Sequence, residues 1–355
     1  MKVGICTGGG DCPGLNAIIR AAVKHGILNY NMELWGIKDS FNGLMTKPYN
    51  VWQLNIESVT EILNKGGTIL GTTNEGNPFS LKNQSKKGPT DKSQLVVDAY
   101  NKLKFDCIIV IGGDGTQGIA YKLSEMGINI IGIPKTIDND LAATFQTVGF
   151  ETAVGVATDA VERLKSTAES HHRIMVLEVM GRNSGHIAVH AGIAGGANVI
   201  LIPEIPFNYD TIIQKIKERQ SLGRNFSVVV VAEGAYESGS DAQYHTTASG
   251  KKNLGGIGGI VAKELHQRTS IDTRVTVLGH IQRGGAPSPG DRILGTAYGV
   301  RAIELVHRKD YGKIVSWQGN EISEIDYTQV AGKFRPVDLD DIFLKSAQSI
   351  GVSFG

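Results

Sequence analysis

The chain has 355 residues and a formal net charge of +1, with 36 Lys and Arg against 35 Asp and Glu. That balance excludes a global basic field for nucleic acid and an acidic solvating tail, while local patches stay open. With 41% hydrophobic and 20% charged residues it reads as a packed globular chain, and its length predicts about two domains. Its 45 glycines are nearly twice the usual share of about 7%. Without a Gly-X-Y period they must serve tight turns and close backbone approach to ligands. Cys6, Cys12 and Cys107 cannot build a disulfide framework and are not spaced as a metal site. A reducing cytoplasm is therefore expected, with all three thiols buried rather than nucleophilic. No apolar run reaches about 18 residues and Met1 to Gly14 lack a signal-peptide core, so no membrane span or secretion signal is expected.

In chain order the pattern is strand, glycine turn, helix. A short apolar run at Lys2–Cys6 precedes Thr7-Gly8-Gly9-Gly10-Asp11 and a helical stretch from Leu15 to about Ile27. A β-branched run at Cys107–Ile111 leads into Gly112-Gly113-Asp114-Gly115-Thr116 and a helix to Met126. Asn129–Ile133 ends at Pro134-Lys135-Thr136, and further runs lie at Ile174–Val179, Val199–Ile202, Phe226–Ala232 and Arg274–Leu278. Short continuous apolar strands alternating with helices predict an α/β fold with parallel sheet covered on both faces. Ligands of such sheets bind beyond the carboxyl ends of the strands, where the polar and glycine clusters fall here. Asn77–Thr90 and Tyr236–Lys252 read as polar surface excursions rather than domain boundaries.

Each cluster has a plain reading beside the functional one. Thr7–Gly10 before a helix suits a phosphate cradle, and equally a tight turn that binds nothing. It is neither a dinucleotide fingerprint, because Pro13 stands at the third glycine, nor a P-loop, because no Gly-Lys-Ser/Thr follows. Asp114 between glycines can hold Mg²⁺ while bare backbone lies along phosphates, or can simply cap the next helix. Asp138 and Asp140 can divide labour between proton abstraction and metal support, or can be turn residues. Arg173, Arg182, Arg274 and Arg283, with His280, suit a sugar phosphate as a set, although each alone reads as a surface ion-pair residue. His171 and His172 read as packing or hydrogen-bonding residues.

Together these strings resemble the 6-phosphofructokinase family from Gly4 to about Glu304. The resemblance rests on Thr7–Gly14, Gly112–Thr116, Pro134–Asp140, Met180–Arg182, Ala232-Glu233-Gly234, Gly279–Gly285 and Asp291-Arg292. It implies two Rossmann-like α/β domains with the active site in the cleft between them. The donor domain would take residues 1–149 and about 282–332, and the fructose 6-phosphate domain 150–281 and about 333–355. It implies Mg²⁺-dependent transfer of a γ-phosphoryl group to the C1 hydroxyl of fructose 6-phosphate. Asp138 would be the base, Thr136 would hydrogen-bond the transferring group and Arg182 would offset its charge. Substrate contacts would come from Arg173, Met180, Gly181, Arg182, Glu233, Arg274, His280 and Arg283. Donor contacts would come from Gly10, Asn74, Asp114, Gly115, Thr116 and Lys135, with Asp114 and Asp140 on the metal. Arg173 and Arg274 would reach the 6-phosphate across a subunit interface, implying a homo-oligomer: a tetramer, with a dimer as the alternative. The partners implied are small molecules, without nucleic acid or membrane.

The sequence departs from the family pattern in places. Gly115 goes with ATP, since a larger acidic residue there would fill the space of the α-phosphate, whereas Lys135 is the choice of pyrophosphate users. The steric criterion outweighs a flexible lysine that can swing aside, so ATP is the expected donor and pyrophosphate the alternative. Asn74 stands where the family offers an arginine to the donor. Arg20 and Lys24 are kept, but Ile56 replaces an arginine and Ser221–Phe226 is less basic than usual, so weak or absent classical effector control is expected. An NAD or lipid kinase would explain Gly112–Thr116 but not the arginines. A dinucleotide oxidoreductase would need the missing fingerprint, and a non-catalytic sugar-phosphate sensor would not require Asp138, Asp140 and Arg182 together.

Overall fold

The computed structural model describes residues 1–81, 88–142, 144–246, 252–330 and 332–355. The two predicted surface excursions lie partly outside the described residues. The elements run β1 (Lys2–Thr7), α1 (Leu15–Tyr30), β2 (Glu33–Ile37), α2 (Asn42–Met45), β3 (Val51–Leu54), α3 (Ser93–Leu103), β4 (Cys107–Gly112) and α4 (Asp114–Glu125). They continue with β5 (Ile130–Pro134), α5 (Phe150–His171), β6 (Ile174–Val179), α6 (His186–Gly195), β7 (Val199–Leu201), α7 (Tyr209–Ser221) and β8 (Ser227–Ala232). The last are β9 (Tyr244–Thr246), β10 (Lys252–Leu254), α8 (Ile257–Thr269), β11 (Thr273–Val277), α9 (Pro289–Arg308), β12 (Lys313–Gln318), β13 (Glu321–Asp326) and α10 (Ile342–Ser349).

The chain forms two compact units. Unit 1 is Met1–Ile137, Leu141–Glu151 and Arg283–Phe334, and unit 2 is Asp138–Asp140, Thr152–Gln282 and Arg335–Gly355. Unit 1 carries a sheet in the order β13-β12-β5-β4-β1-β2-β3. It is parallel from β12 to β2, with β3 and β13 antiparallel at its edges. Unit 2 carries the parallel sheet β11-β6-β8-β7. The α/β reading therefore holds in both units. Strands β4, β6 and β8 are buried along their whole length, as continuous Val/Ile runs covered on both faces must be. Besides β2 and β3, strand β12 and the edge strand β13 were not predicted. Their hairpin turns at Gly319, and β13 reads Glu-Ile-Ser-Glu-Ile-Asp, a charged, alternating edge rather than an apolar run.

In unit 1 the chain leaves β1 toward β2 on one side and later returns to place β4 on the other. The carboxyl ends of β1 and β4 thus flank a topological switch point, the place where open α/β sheets bind ligands. Helix α9 braces this end of the sheet by lying against α1. Gly299 makes that approach possible, since a Cβ there would stand 2.5 Å from the Ile18 carbonyl oxygen. Gly299→Val is expected to lower unfolding free energy by about 1–3 kcal/mol, the range for overpacking a close contact. A urea midpoint equal to that of the parent would contradict the packing argument.

Candidate functional site

In unit 1 the loops after β1, β4 and β5 are tied together. Gly8 N–H donates to the Ile111 carbonyl (2.9 Å) and Gly9 N–H to the Thr73 carbonyl (3.1 Å). Thr116 of α4 packs beneath the first loop, where a Cβ on Gly8 would stand 2.6 Å from its Cγ2. Lys135 is only 2% exposed, and its ammonium donates to the carbonyls of Gly8 (2.9 Å) and Gly10. This corrects the expectation of a flexible arm: Lys135 is a buried clamp on the glycine loop. Arg283 Nη1 donates to the Asp11 carbonyl (3.3 Å) and lies against Gly10.

Helix α4 begins at Asp114 with Gly113 as an extended N-cap that offers no side-chain hydrogen bond. Asp114 is therefore not the cap, and the first-turn amides keep their capacity for an anion. Asp114 and Gly115 are exposed, and a Cβ on Gly115 would meet nothing within 4 Å. Asn74 is exposed and Thr136 half-buried, its carbonyl accepting from Thr147 Oγ1 (2.6 Å). Sequence reading missed Gln117. It is fully buried, donates from Nε2 to the carbonyls of Gly112 (3.0 Å) and Ile133 (2.9 Å), and accepts from the Tyr327 hydroxyl (2.8 Å). It locks the carboxyl ends of β4 and β5 side by side.

In unit 2 the loop after β6 holds Met180, Gly181 and Arg182. The Glu233 carboxylate, after β8, accepts the backbone N–H groups of Arg182 (2.9 Å) and Gly181 (3.3 Å). Arg182 is exposed with a left-handed backbone (φ 54°). Gly234 allows the two loops to meet, since its Cβ would stand 2.1 Å from the Arg182 carbonyl oxygen. Burial pushes the Glu233 carboxyl above its usual range; the Arg182 N–H opposes this and the Asp138 charge adds to it. Gln282, fully buried in the 3-10 turn Gly279–Arg283, accepts the Met180 N–H (2.8 Å). His280 in the same turn is exposed. Asp138, Asn139 and Asp140 are all buried. Arg173 and the exposed Arg274 share the carboxylate of Asp272, which sequence reading did not single out. His171 and His172 are exposed at the end of α5 rather than packed. Cys6, Cys12 and Cys107 are buried, as expected, and burial pushes the thiols of Cys6 and Cys12 up to about 12.

Mg²⁺ is commonly held by one or two carboxylates with substrate phosphates completing its shell. In unit 1 Asp114 offers an exposed carboxylate that makes no ion pair among the described residues. No group of three or more His, Cys, Asp or Glu gathers among the described residues. An exposed carboxylate at a helix first turn, as at Asp114, fits a metal shared with a phosphate ligand rather than a dedicated cage.

Glycine loops at strand ends, an open helix N-terminus and flanking carboxylates and guanidinium groups define a phosphate-handling α/β protein. The family model described as Phosphofructokinase matches residues 2–306, and the chain belongs to this family. It is 44% identical over 355 residues to "ATP-dependent 6-phosphofructokinase 1" of Synechocystis sp., covering 100% of this chain and 98% of that one. It is 47% identical over 356 residues to "ATP-dependent 6-phosphofructokinase" of Chloroflexus aggregans, with the same coverage of 100% and 98%. The solved phosphofructokinase of Pichia pastoris in the T-state superposes with a TM-score of 0.81 at 29% identity, covering 93% of this chain. This chain spans 35% of the length of that one. A pyrophosphate-dependent phosphofructokinase of Marinobacter aquaeolei gives a TM-score of 0.81 at 19% identity, covering 100% of this chain and 89% of that one, and shows the fold alone.

His186, at the start of α6, has its ring Nε2 3.3 Å from the Arg335 carbonyl oxygen. Burial, reinforced by the Arg335 charge, pushes this imidazole down to about 3. In the unfolded chain it takes up a proton below about 6.5. Between these values the unfolded state binds more protons, so stability falls as pH falls. The parent is expected to lose about 2 kcal/mol more than His186→Asn between pH 7 and pH 5, measured by urea unfolding. Equal pH dependence in the two proteins would contradict the assignment.

Proposed function

We propose that this chain is an ATP-dependent 6-phosphofructokinase, transferring the γ-phosphoryl group of ATP to the C1 hydroxyl of fructose 6-phosphate. Full-length relatives at 44–47% identity carry that name. The observation that carries the donor assignment is Gly115: the first turn of α4 is open where an acidic side chain would stand against an α-phosphate. Lys135, buried beneath the loop, leaves that space clear. Unit 1 is assigned donor binding through Gly10, Asn74, Asp114, Gly115, Thr116 and Lys135. Unit 2 is assigned most of the acceptor contacts, through Arg173, Met180, Gly181, Arg182, Glu233, Arg274 and His280; Arg283 is assigned an acceptor contact as well.

Asp138 takes the proton of the attacking C1 hydroxyl. Thr136 hydrogen-bonds the transferring group and Arg182 offsets the charge that develops on it. Asp114 and Asp140 would hold Mg²⁺, which would neutralise charge on the phosphates. Strand β11 is the edge of its sheet and exposes Val275 (43%) and Val277 (55%), with Ile281 (68%) beyond it. That apolar edge beside Arg274 supports a homo-oligomer, a tetramer or a dimer, in which Arg173 and Arg274 reach a neighbour's substrate. The buried free thiols support a cytoplasmic setting.

Asp138→Asn is expected to lower kcat by about 10²–10⁴-fold with little change in KM for fructose 6-phosphate. Near-parental turnover would remove Asp138 as the base. Gly115→Asp is expected to fold normally, because its side chain enters open space in a helix first turn that favours an acid. It is expected to raise KM for ATP at least about tenfold, the cost of placing a charge against the α-phosphate. Unchanged ATP kinetics in a folded variant would overturn the steric argument.

A further inference from the structure

We propose that Arg335 is a positioning residue that fixes the backbone of the Asp138-Asn139-Asp140 loop for phosphoryl transfer. The inference rests on the reading of Asp138 as the base. Asn139 holds a left-handed backbone (φ 53°) between the two aspartates. Such a conformation in a non-glycine residue costs free energy and persists only where its surroundings over-determine it. Arg335 supplies that constraint. Its guanidinium donates twice to the Asn139 carbonyl, from Nε (3.1 Å) and Nη2 (2.8 Å). Its backbone N–H donates to the Asp140 carbonyl (2.8 Å). Two consecutive carbonyls, that of the αL residue and the next, are thus gripped by one residue.

Arg335 is itself fixed. Its carbonyl meets the His186 ring, and the Val337 N–H donates to Glu204 Oε1 (2.8 Å). The same carboxylate accepts the Gly185 N–H at the start of α6 (3.0 Å). Segment 335–337 therefore links the head of α6 to the acidic loop within unit 2. The side-chain bonds to Asn139 need a planar fork, which arginine has and lysine lacks. Arg335 acts on the reaction only through the backbone it holds.

The test compares Arg335→Ala, Arg335→Lys and Asp138→Asn in the full-length enzyme, by steady-state kinetics and thermal unfolding. Arg335→Ala is expected to lower kcat by about 10–100-fold, the usual cost of losing an outer-shell support. Its KM for fructose 6-phosphate should stay within about threefold, because the acceptor contacts lie elsewhere. Arg335→Lys should fall between the alanine variant and the parent. Millimolar guanidinium should restore several-fold activity to Arg335→Ala and none to the parent. A purely structural role predicts instead that kcat follows the folded fraction and that guanidinium restores nothing, and either result would overturn the proposal. Parental kcat in Arg335→Ala beside a crippled Asp138→Asn would overturn the positioning role while leaving the base in place. Parental kcat in Asp138→Asn would overturn the base assignment itself.

Discussion

A glycine loop that receives phosphate has to leave backbone amides unpaired toward the ligand while satisfying its carbonyls on the other side. The Lys135 ammonium meets that constraint here. It is buried and donates to the carbonyls of Gly8 and Gly10. An isolated buried cation would be prohibitively costly, and paired with two carbonyl dipoles it is tolerated. Because each peptide is planar and trans, turning the Gly10 carbonyl inward turns the Asp11 amide outward. The donor binding proposed for this loop depends on this shape being held.

The same device recurs in unit 2 with either sign. The Glu233 carboxylate holds amides at Gly181 and Arg182, and the Arg335 guanidinium holds the Asn139 carbonyl while its backbone N–H holds that of Asp140. Glu178, buried on β6, accepts the Gly256 and Gly258 amides and so caps α8 from a neighbouring strand. Helix α8 opens with glycines and offers no side-chain cap of its own. At α8 a charged group far away in sequence thus replaces the local Ser, Thr or Asp cap, and the glycines admit close approach. Charge-assisted hydrogen bonds are stronger than neutral ones, which suits loops that must stay fixed.

Much of this was legible in the sequence. Cys107–Ile111, Ile174–Val179 and Phe226–Ala232 are continuous apolar runs, and they became fully buried strands within a residue of their expected ends. The glycine clusters fell at carboxyl ends of strands because a doubly covered parallel sheet leaves polar backbone nowhere else to go. The hairpin of β12 and β13 was not legible, because its edge position permits polar residues that break the apolar signal. Gln117 and Arg335 were not legible for a different reason. Gln117 and Arg335 act on backbone or side chains up to 210 and 196 positions away. Spacing carries no trace of such partners. Lys135 was visible as a cation beside the site, but burial, which alone tells a clamp from a swinging arm, is a tertiary property.

Gly115 and Lys135 point to different donors in the sequence, and their places in the fold separate them. Gly115 faces open space, whereas Lys135 faces the underside of the loop. The most direct measurement is the initial rate with fructose 6-phosphate and Mg²⁺, with ATP or pyrophosphate as the sole phosphoryl donor. The account predicts turnover with ATP and none with pyrophosphate. Turnover with pyrophosphate and none with ATP would contradict it, and would mean that Lys135 leaves the loop to meet the donor.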